Sequence, residues 1–287
     1  MPLNQQVQFL SIDALALGLI ENAPKRMQYL PFFPFYSIKG SALRYVRTPE
    51  LVPAEIIGFG DAIEDQTSLP EEPVIFPMTE FATQFVVSYT GQDVYSDTNN
   101  LLQVEHDSAI RQLLYRFSKE LQNGSDGFLG FKQLISLENS VDLRGATLTL
   151  EDLDRAKGKI RIRNGESGII ITNEPGYRLI RKAYYNRNIL PPEVNGHTVF
   201  DGWLIYINDM QPLNCNDSEP TTNIWFVTLG PGGMHGIIPE SVGGNMFVTR
   251  QTSQADQSQT VVSVTWPVGL ALGSQGALSG ILNVGIN

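Results

Sequence analysis

Apolar side chains recur every four residues between Leu101 and Gln122, which is the spacing of a helix that buries one face. Ala109, Leu113 and Phe117 fall on that face. Asn123-Gly124 follows directly and is typical of the C-terminus of a helix. The pattern therefore predicts one long helix in the first half of the chain.

Two shorter helices are predicted from the residues that would begin them. Thr149 and Asp152 match a capping box, in which two side chains cap each other's backbone N–H groups, for a helix that runs to about Lys157. Asn173 followed by Glu-Pro is typical of a helix start and predicts a helix that extends towards Tyr185.

The remaining apolar segments have the pattern of strands. Ser37–Arg47 and Val74–Tyr89 alternate, and one side of the second segment carries Thr79, Phe81, Thr83, Phe85 and Val87. Four further strands are predicted after Gly196, at Val199–Ile207, Ile224–Leu229, Met246–Thr249 and Val261–Trp266. Helices and strands follow in a mixed order rather than in strict alternation, so the predicted fold class is α+β.

The segment between the first two strands is strongly acidic. Residues 50–72 carry seven acidic side chains and no basic one. Together with the flanking strands, this segment predicts a long β-hairpin with an acidic tip. Because an isolated hairpin is at best marginally stable in water, we expect it to lie on another surface. An ordinary solvated hairpin fits the same pattern.

Charge is sparse and unevenly distributed along the chain. Charged residues make up 17% of it and the net charge is −10, which argues against a dedicated nucleic-acid-binding protein. Residues 151–187 nevertheless hold nine basic and five acidic side chains, a local charge of +4 that leaves −14 elsewhere. The acidic hairpin of one copy and this basic segment of another are able to meet. A solvated helix face with an arginine-rich strand explains the same charges.

The last 31 residues, Gln257–Asn287, contain no charge at all. Pro267, Gln275 and Asn283 within them would be costly in a lipid bilayer, so we expect burial in protein rather than in a membrane. Residues 1–23 lack the basic region of a secretory signal, and the single Cys215 cannot form an internal disulfide.

Candidate catalytic and ligand-binding groups are scattered. His106, His197 and His235 are far apart in sequence and lack the spacing of metal ligands. Residues 230–236 form a glycine-rich loop, but this loop lacks the Gly-Lys-Ser/Thr ending that binds phosphate, and we expect a β-turn there. The sequence therefore predicts no catalytic, metal or cofactor site, and hence no enzyme.

The succession of features resembles the major capsid proteins of tailed double-stranded DNA phages, the Hong Kong 97 fold family. An arm, a long hairpin, a long helix, the glycine-phenylalanine corner 127–131, a mixed α/β part and a return segment at 261–271 follow in the family's order. The resemblance implies four parts: an N-terminal arm (1–35), an extended loop (36–88), a peripheral subdomain with the spine helix (89–145 and 261–287) and an axial subdomain (146–260).

In function, the resemblance implies a structural head protein that self-assembles into pentamers and hexamers of an icosahedral shell around double-stranded DNA. Such a protein is part of the virion and assembles in the cytoplasm of the host bacterium. The implied partners are further copies of the chain, a portal, possible decoration proteins, and DNA held without sequence-specific contact, with no membrane. Because only about 28 residues precede the hairpin, we expect no fused scaffolding domain and a separate scaffolding protein.

The contact residues that we expect between copies are charged. They are Arg44 and Arg47 on the hairpin, Glu64 and Asp65 at its tip, and Arg161 and Arg163 as acceptors of acidic partners. Three alternatives remain open: an encapsulin-like nanocompartment, which shares the fold and encloses enzymes, a soluble α+β enzyme with an unrecognised site, and a phage tail or baseplate β-protein.

Overall fold

The computed structural model describes residues 26–45, 73–88, 101–125, 127–161, 167–216, 219–240, 246–253 and 259–286. The α-helices in these ranges are α1 (Leu101–Asn123), α2 (Phe131–Leu134), α3 (Leu150–Gly158) and α4 (Glu174–Tyr185), and short 3-10 helices lie at Leu30–Phe32, Leu137–Asn139 and Gln275–Ala277. The strands are β1 (Phe35–Ile38), β2 (Ala42–Tyr45), β3 (Val74–Pro77), β4 (Thr79–Ser88), β5 (Ser140–Asp142), β6 (Ser167–Thr172), β7 (Glu193–Val194), β8 (His197–Phe200), β9 (Trp203–Ile207), β10 (Asn214–Asn216), β11 (Glu219–Leu229), β12 (Met234–Pro239), β13 (Val248–Ser253), β14 (Gln259–Leu272) and β15 (Leu278–Gly285).

Helix α1 is the long helix that the four-residue spacing predicted, and its predicted apolar face is buried. It ends at Gly124, which has a φ of +70° and donates its N–H to the carbonyl oxygen of Glu120 at 2.7 Å. A Cβ at Gly124 would lie 2.5 Å from the carbonyl oxygen of Phe128, and one at Gly130 would collide with the backbone of Gly124. The corner therefore requires glycine at both positions, because two backbone segments come into direct contact there.

Both short helices begin at their predicted caps. The hydroxyl of Thr149 accepts a hydrogen bond from the backbone N–H of Asp152, and the carboxylate of Asp152 accepts one from the N–H of Thr149. The side chain of Asn173 accepts from the N–H of Gly176 at 3.0 Å, which caps α4. These caps satisfy donors that a helix cannot satisfy internally.

One mixed sheet of 13 strands organises the described chain. Its main path is β13-β14-β12-β11-β6-β9-β8-β7, while β4 pairs with β14, β1 with β12, β10 and β15 with β11, and β5 with β15. The pairs β1–β12, β6–β9 and β5–β15 are parallel, and most others are antiparallel. The predicted α+β class is confirmed.

Two clusters of buried side chains cover this sheet. The larger one packs α1 and its corner against β12 and β14 and is rich in aromatic rings. At its centre lies Trp266, completely buried, with the ring of Phe117 4.9 Å away between centroids. The smaller cluster packs α3 and α4 against β6, β9 and β11 through residues such as Leu153, Ile170 and Ile180.

The uncharged final segment forms β14 and β15, in the middle of the sheet. β14 lies between β13 and β4 and then pairs with β12, and β15 lies between β11 and β5. Every second residue in the first part of β14 is buried, as are the end of β14 and most of β15, and buried positions disfavour charged side chains, which explains the composition. Burial in protein is confirmed, and no helix of the described residues is long and apolar enough to cross a bilayer.

Each of three predicted strands is two shorter strands in the structure. The strand predicted at 37–47 is broken at Gly40, where φ is +99°, and the one at 74–89 is broken between β3 and β4. The one at 199–207 is a hairpin whose turn, Asp201-Gly202, has positive φ at both residues. Strands β6 and β15 were not predicted, because buried strands lack the alternation that reveals a half-exposed one.

The predicted long hairpin is also more complex in its pairing. β2 pairs with β3 in an antiparallel two-stranded sheet, as a hairpin requires. β4 does not continue that pair but joins β14 over ten residue pairs. The predicted side of β4 is confirmed, since Phe81 and Val87 are buried while Glu80 and Val86 are exposed.

Candidate self-association surfaces

Side chains with acid–base or metal-binding chemistry are dispersed. In the ranges that the structure describes, no three His, Cys, Asp or Glu residues are arranged to hold a metal ion. His106 contacts the hydroxyl of Thr249 at 2.9 Å, and the ring of His197 packs against that of Tyr206. The glycine-rich loop is a tight turn, as predicted, in which Gly233 donates its N–H to the carbonyl oxygen of Gly230.

His235 follows this turn and joins it to the base of the hairpin. Its Nδ1 lies 3.2 Å from the carbonyl oxygen of Gly230, which can only accept, so Nδ1 carries the proton. Nε2 then accepts from the hydroxyl of Tyr45 at 3.2 Å, and the ring of Tyr36 packs edge-on at 5.2 Å. Burial lowers the pKa of His235, which keeps the ring neutral. This His235 cluster (His235, Tyr36 and Tyr45) ties β1 and β2 to β12.

Ion pairs of Arg26 link the first described residues to α4 and to the loop after β9. The guanidinium of Arg26 donates to Asp209 at 3.0 Å and to Glu174 at 2.6 Å, and Arg178 also donates to Glu174. The bond to Asp209, with that to Glu174, raises the pKa of Arg26 further above its ordinary value. Burial opposes ionisation of Glu174, but the bonds from Arg26 and Arg178 outweigh it and lower the pKa of Glu174.

Two of the predicted contact residues lie in the described ranges, on separate elements. Arg44 is exposed on β2, opposite Ile75, a half-exposed apolar residue of β3. Arg161 is exposed just after α3, and its backbone N–H donates to the carbonyl oxygen of Gly276 at 2.8 Å. Arg47, Glu64, Asp65 and Arg163 lie outside the described residues.

The structure also has an apolar surface that the sequence analysis missed. Leu190 is 80% exposed, and Tyr185, Ile189 and Val194 are each about half exposed. These four residues, here called the apolar tip, extend from Tyr185, the last residue of α4, to Val194 in β7. The run Ile189-Leu190-Pro191-Pro192 was the available signal, since prolines prevent the backbone from burying such residues in a regular element. Contiguous exposed apolar patches mark contact surfaces, and these four exposed residues lie within ten positions of the chain.

Comparisons with known proteins show similarity in structure but none in sequence. No family model matches the chain, and no curated protein matches it. The holo-SrpI encapsulin complex from Synechococcus elongatus PCC 7942 has a TM-score of 0.73 at 15% identity, with 96% of each chain covered. The capsid of the native GTA particle has a TM-score of 0.68 at 11% identity, again over 96% of each chain. Mycobacterium phage Bobi has a TM-score of 0.64 at 11% identity over 97% of each chain.

These matches show the fold of the chain. It has the Hong Kong 97-like α+β fold that the resemblance in layout predicted. The fold is shared with solved structures named as an encapsulin complex, as the capsid of a GTA particle and as a mycobacterium phage.

Proposed function

We propose that this chain is the structural subunit of a closed protein shell. The observation that carries the proposal is the fold, matched over 96% of both chains by an encapsulin and by the GTA capsid. The low charge content and the apolar tip support it, because a subunit that is surrounded by copies of itself buries much of its surface.

Within this class, the function that we propose is that of the major capsid protein of a phage head. Pentamers and hexamers would form an icosahedral shell around double-stranded DNA, assembled in the bacterial cytoplasm with a scaffolding protein and a portal, and with decoration proteins as possible additions. Matches to the GTA capsid and to a mycobacterium phage support this choice. The net charge of −10 suits a container wall, since a basic wall would hold packaged DNA too tightly.

We propose two kinds of contact between the subunits of such a shell, apolar contacts and ion pairs. Around the symmetry axes, the apolar tip of the axial part (146–260) would pack against its copies. Between neighbours, the charged residues predicted from the sequence (Arg44, Arg47, Glu64, Asp65, Arg161 and Arg163) would add ion pairs. An exposed pair contributes only ~0–1 kcal/mol, so repeated apolar contacts would supply most of the association free energy.

An encapsulin-like nanocompartment is the second candidate. The observation in its favour is the SrpI encapsulin match, with a TM-score of 0.73 and 15% identity. Both candidates predict a shell, and they differ in what the shell encloses.

The test is to express the full chain, measure particle size by gel filtration and negative-stain microscopy, and analyse the contents. Closed shells, or rings of five and six, are the expected result. Nuclease-protected DNA inside would support the head protein, and a co-purifying enzyme would support the encapsulin. A chain that stays monomeric, both alone and when co-expressed with a scaffolding protein, would contradict the proposal.

A further inference from the structure

The part of the sheet that α1 covers has two unpaired edges. Among the described residues, β4 pairs only with β14, through ten residue pairs, and β13 pairs only with β14, through six. The outer side of each strand therefore presents a row of backbone N–H and C=O groups with no strand beside it in the described ranges. Such a row is a template on which another strand can pair.

A groove lies beside β4, between this strand and α1. It has a volume of about 420 Å³ and is lined on one side by five consecutive residues, 79–83. Neighbouring side chains of a strand point to opposite faces, so a groove that touches five in succession follows the edge of the strand rather than either face. Gln112, Leu113 and Arg116 of α1, with Ser125, form the opposite wall.

β4 also lacks the features that usually protect an exposed edge. Natural edge strands are guarded by lysines, prolines, bulges or shortness. β4 is ten residues long, has an unbroken register with β14, and carries a single charged side chain, Glu80. Val86, on the same outward face, is 43% exposed. This edge has the character of a surface that is covered in the working protein.

We propose that β13 of a second copy of the chain pairs with this edge of β4. The inference rests on the proposed shell function and adds a specific contact to it. β4 and β13 both run antiparallel to β14, so they are parallel to each other. Within one chain Arg250 is level with Gln84, since both pair with Ser263. A second copy in the same orientation, shifted by four residues along the strand, brings its Arg250 level with Glu80 and its β13 alongside residues 78–83 as a parallel neighbour, and the two sheets become one.

The dimensions and charges of the two edges match. The six residues of β13 span about 20 Å, and the stretch 79–83 that lines the groove spans about 17 Å, at the rise of a strand. Arg250 is the single charged residue of β13 and is exposed, as is Glu80 of β4. Neither forms an ion pair within the described chain, so an acidic edge faces a basic one.

This pairing joins different surfaces of the two copies, so it can repeat from copy to copy. A repeated head-to-tail contact closes into a ring when the rotation between copies allows it. A twofold contact of β4 with β4 would instead stop at a dimer. Edge pairing between β4 and β13 is therefore the arrangement that can build a ring of five or six.

Thiol cross-linking in a Cys215→Ser background tests which edges meet. Gln84→Cys labels β4 and Thr252→Cys labels β13, both at exposed positions. With a short bismaleimide, we expect cross-linked dimers when the two variants are mixed during assembly and none from either variant alone. Dimers from Gln84→Cys alone would show β4–β4 pairing and overturn the proposal.

Charge reversal provides an independent test. Glu80→Arg and Arg250→Glu each place like charges at the contact, so each alone should lose assembled material. When the two variants are mixed, every contact between an alternating pair regains opposite charges, and assembly should return. Loss that mixing does not restore would contradict a contact between these two residues of different copies.

A blocked edge separates this inference from the proposed function. Ala82→Lys, at an exposed position in the stretch that lines the groove, should abolish assembly while the subunit stays folded, and Thr147→Lys, an exposed loop position before α3, serves as the matched control. If the unmodified chain assembles and Ala82→Lys does too, the edge contact is wrong and the shell proposal stands. If the unmodified chain never assembles, the shell proposal itself fails.

Discussion

The two halves of the core are stabilised by different means. Around α1 and β14 the contacts are mostly aromatic, with Trp266 at the centre of rings from Phe35, Phe81, Phe117 and Phe247. Around α3 and α4 the apolar core is ringed by ion pairs: Arg26 and Arg178 with Glu174, Arg187 with Glu151, and Lys157 with Asp201.

The two regions differ in where their polar groups find partners. Ion pairs at the rim of the α4 region tie loops and the arm to the helix, so that its charged groups already have partners within the chain. The β13-β14-β4 sheet has few charges and two open edges in its described part. Backbone groups at these edges, which have no strand beside them in the described chain, are able to pair with a second copy. The following predictions compare the two regions.

The largest effect is expected at the aromatic centre. Trp266→Ala should lower the free energy of unfolding by about 3–5 kcal/mol, because it removes a completely buried indole and leaves a cavity. Urea denaturation of the unassembled subunit measures this change. Leu137→Ala is the control, since that side chain is 93% exposed and the change should stay within about 0.5 kcal/mol. Equal effects at the two positions would contradict the assigned core.

The second effect concerns the corner after α1. Gly124→Ala should cost about 1–3 kcal/mol, because Gly124 has a φ of +70° and its Cβ would press on the backbone of Phe128. Gly158→Ala in α3 is the matched control: nothing lies within 4 Å of its Cβ, so the change should be neutral or stabilising by up to about 1 kcal/mol. Thermal melting compares the pair, and a tolerated Gly124→Ala would show that the corner is not tight.

The third effect depends on pH and arises at His235. Because the pKa of His235 is lowered in the folded protein from its ordinary 6.5, the unfolded chain binds more protons as the pH falls below that value. The stability from this group is therefore complete above pH 6.5 and is lost as the pH falls towards the folded-state pKa.

His235→Gln removes this titration. The free energy of unfolding of the unmodified subunit should fall more steeply between pH 7.5 and 5 than that of the variant. This pH range brackets the ordinary histidine pKa of about 6.5. Unfolding in denaturant at several pH values measures both slopes. Parallel slopes would mean that His235 titrates normally and that its burial among Tyr36, Tyr45 and β12 has no electrostatic consequence.

The smallest effect is expected at the ion pairs of α4. Arg26 is 45% exposed at its side chain, so solvent screens it and its pair with Glu174 should contribute only about 0–1 kcal/mol. A double-mutant cycle of Arg26→Ala and Glu174→Ala, at low and high salt, isolates this coupling. A coupling several times larger would overturn the view that the apolar core supplies most of the stability of this region.

Local signals predicted the helices well, and long-range pairing explains what they missed. The four-residue spacing of α1, the capping box at Thr149 and the Asn173 cap were each sufficient, because a helix is determined by residues close in sequence. Strand β15 was missed because its serine and glycines have no strand propensity of their own. Gly280 is needed there since the ring of Trp225 lies against its backbone.

The candidate surfaces were less predictable than the fold. The charged contact residues were chosen by composition, whereas the open edge of β4 depends on which strands pair across the sheet. The exposure of Leu190 had a local signal, the two prolines that follow it. Arg44 and Arg161 are exposed as a contact residue must be, and their role in contacts stays a prediction.

The most direct test of the central claim is the mass of the particles that the purified chain forms, measured by sedimentation velocity across a range of protein concentrations. A self-assembling shell subunit should sediment as rings of five or six copies or as much larger closed particles. A single species with the 31.8 kDa mass of one chain at every concentration, with and without a scaffolding protein, would contradict the account.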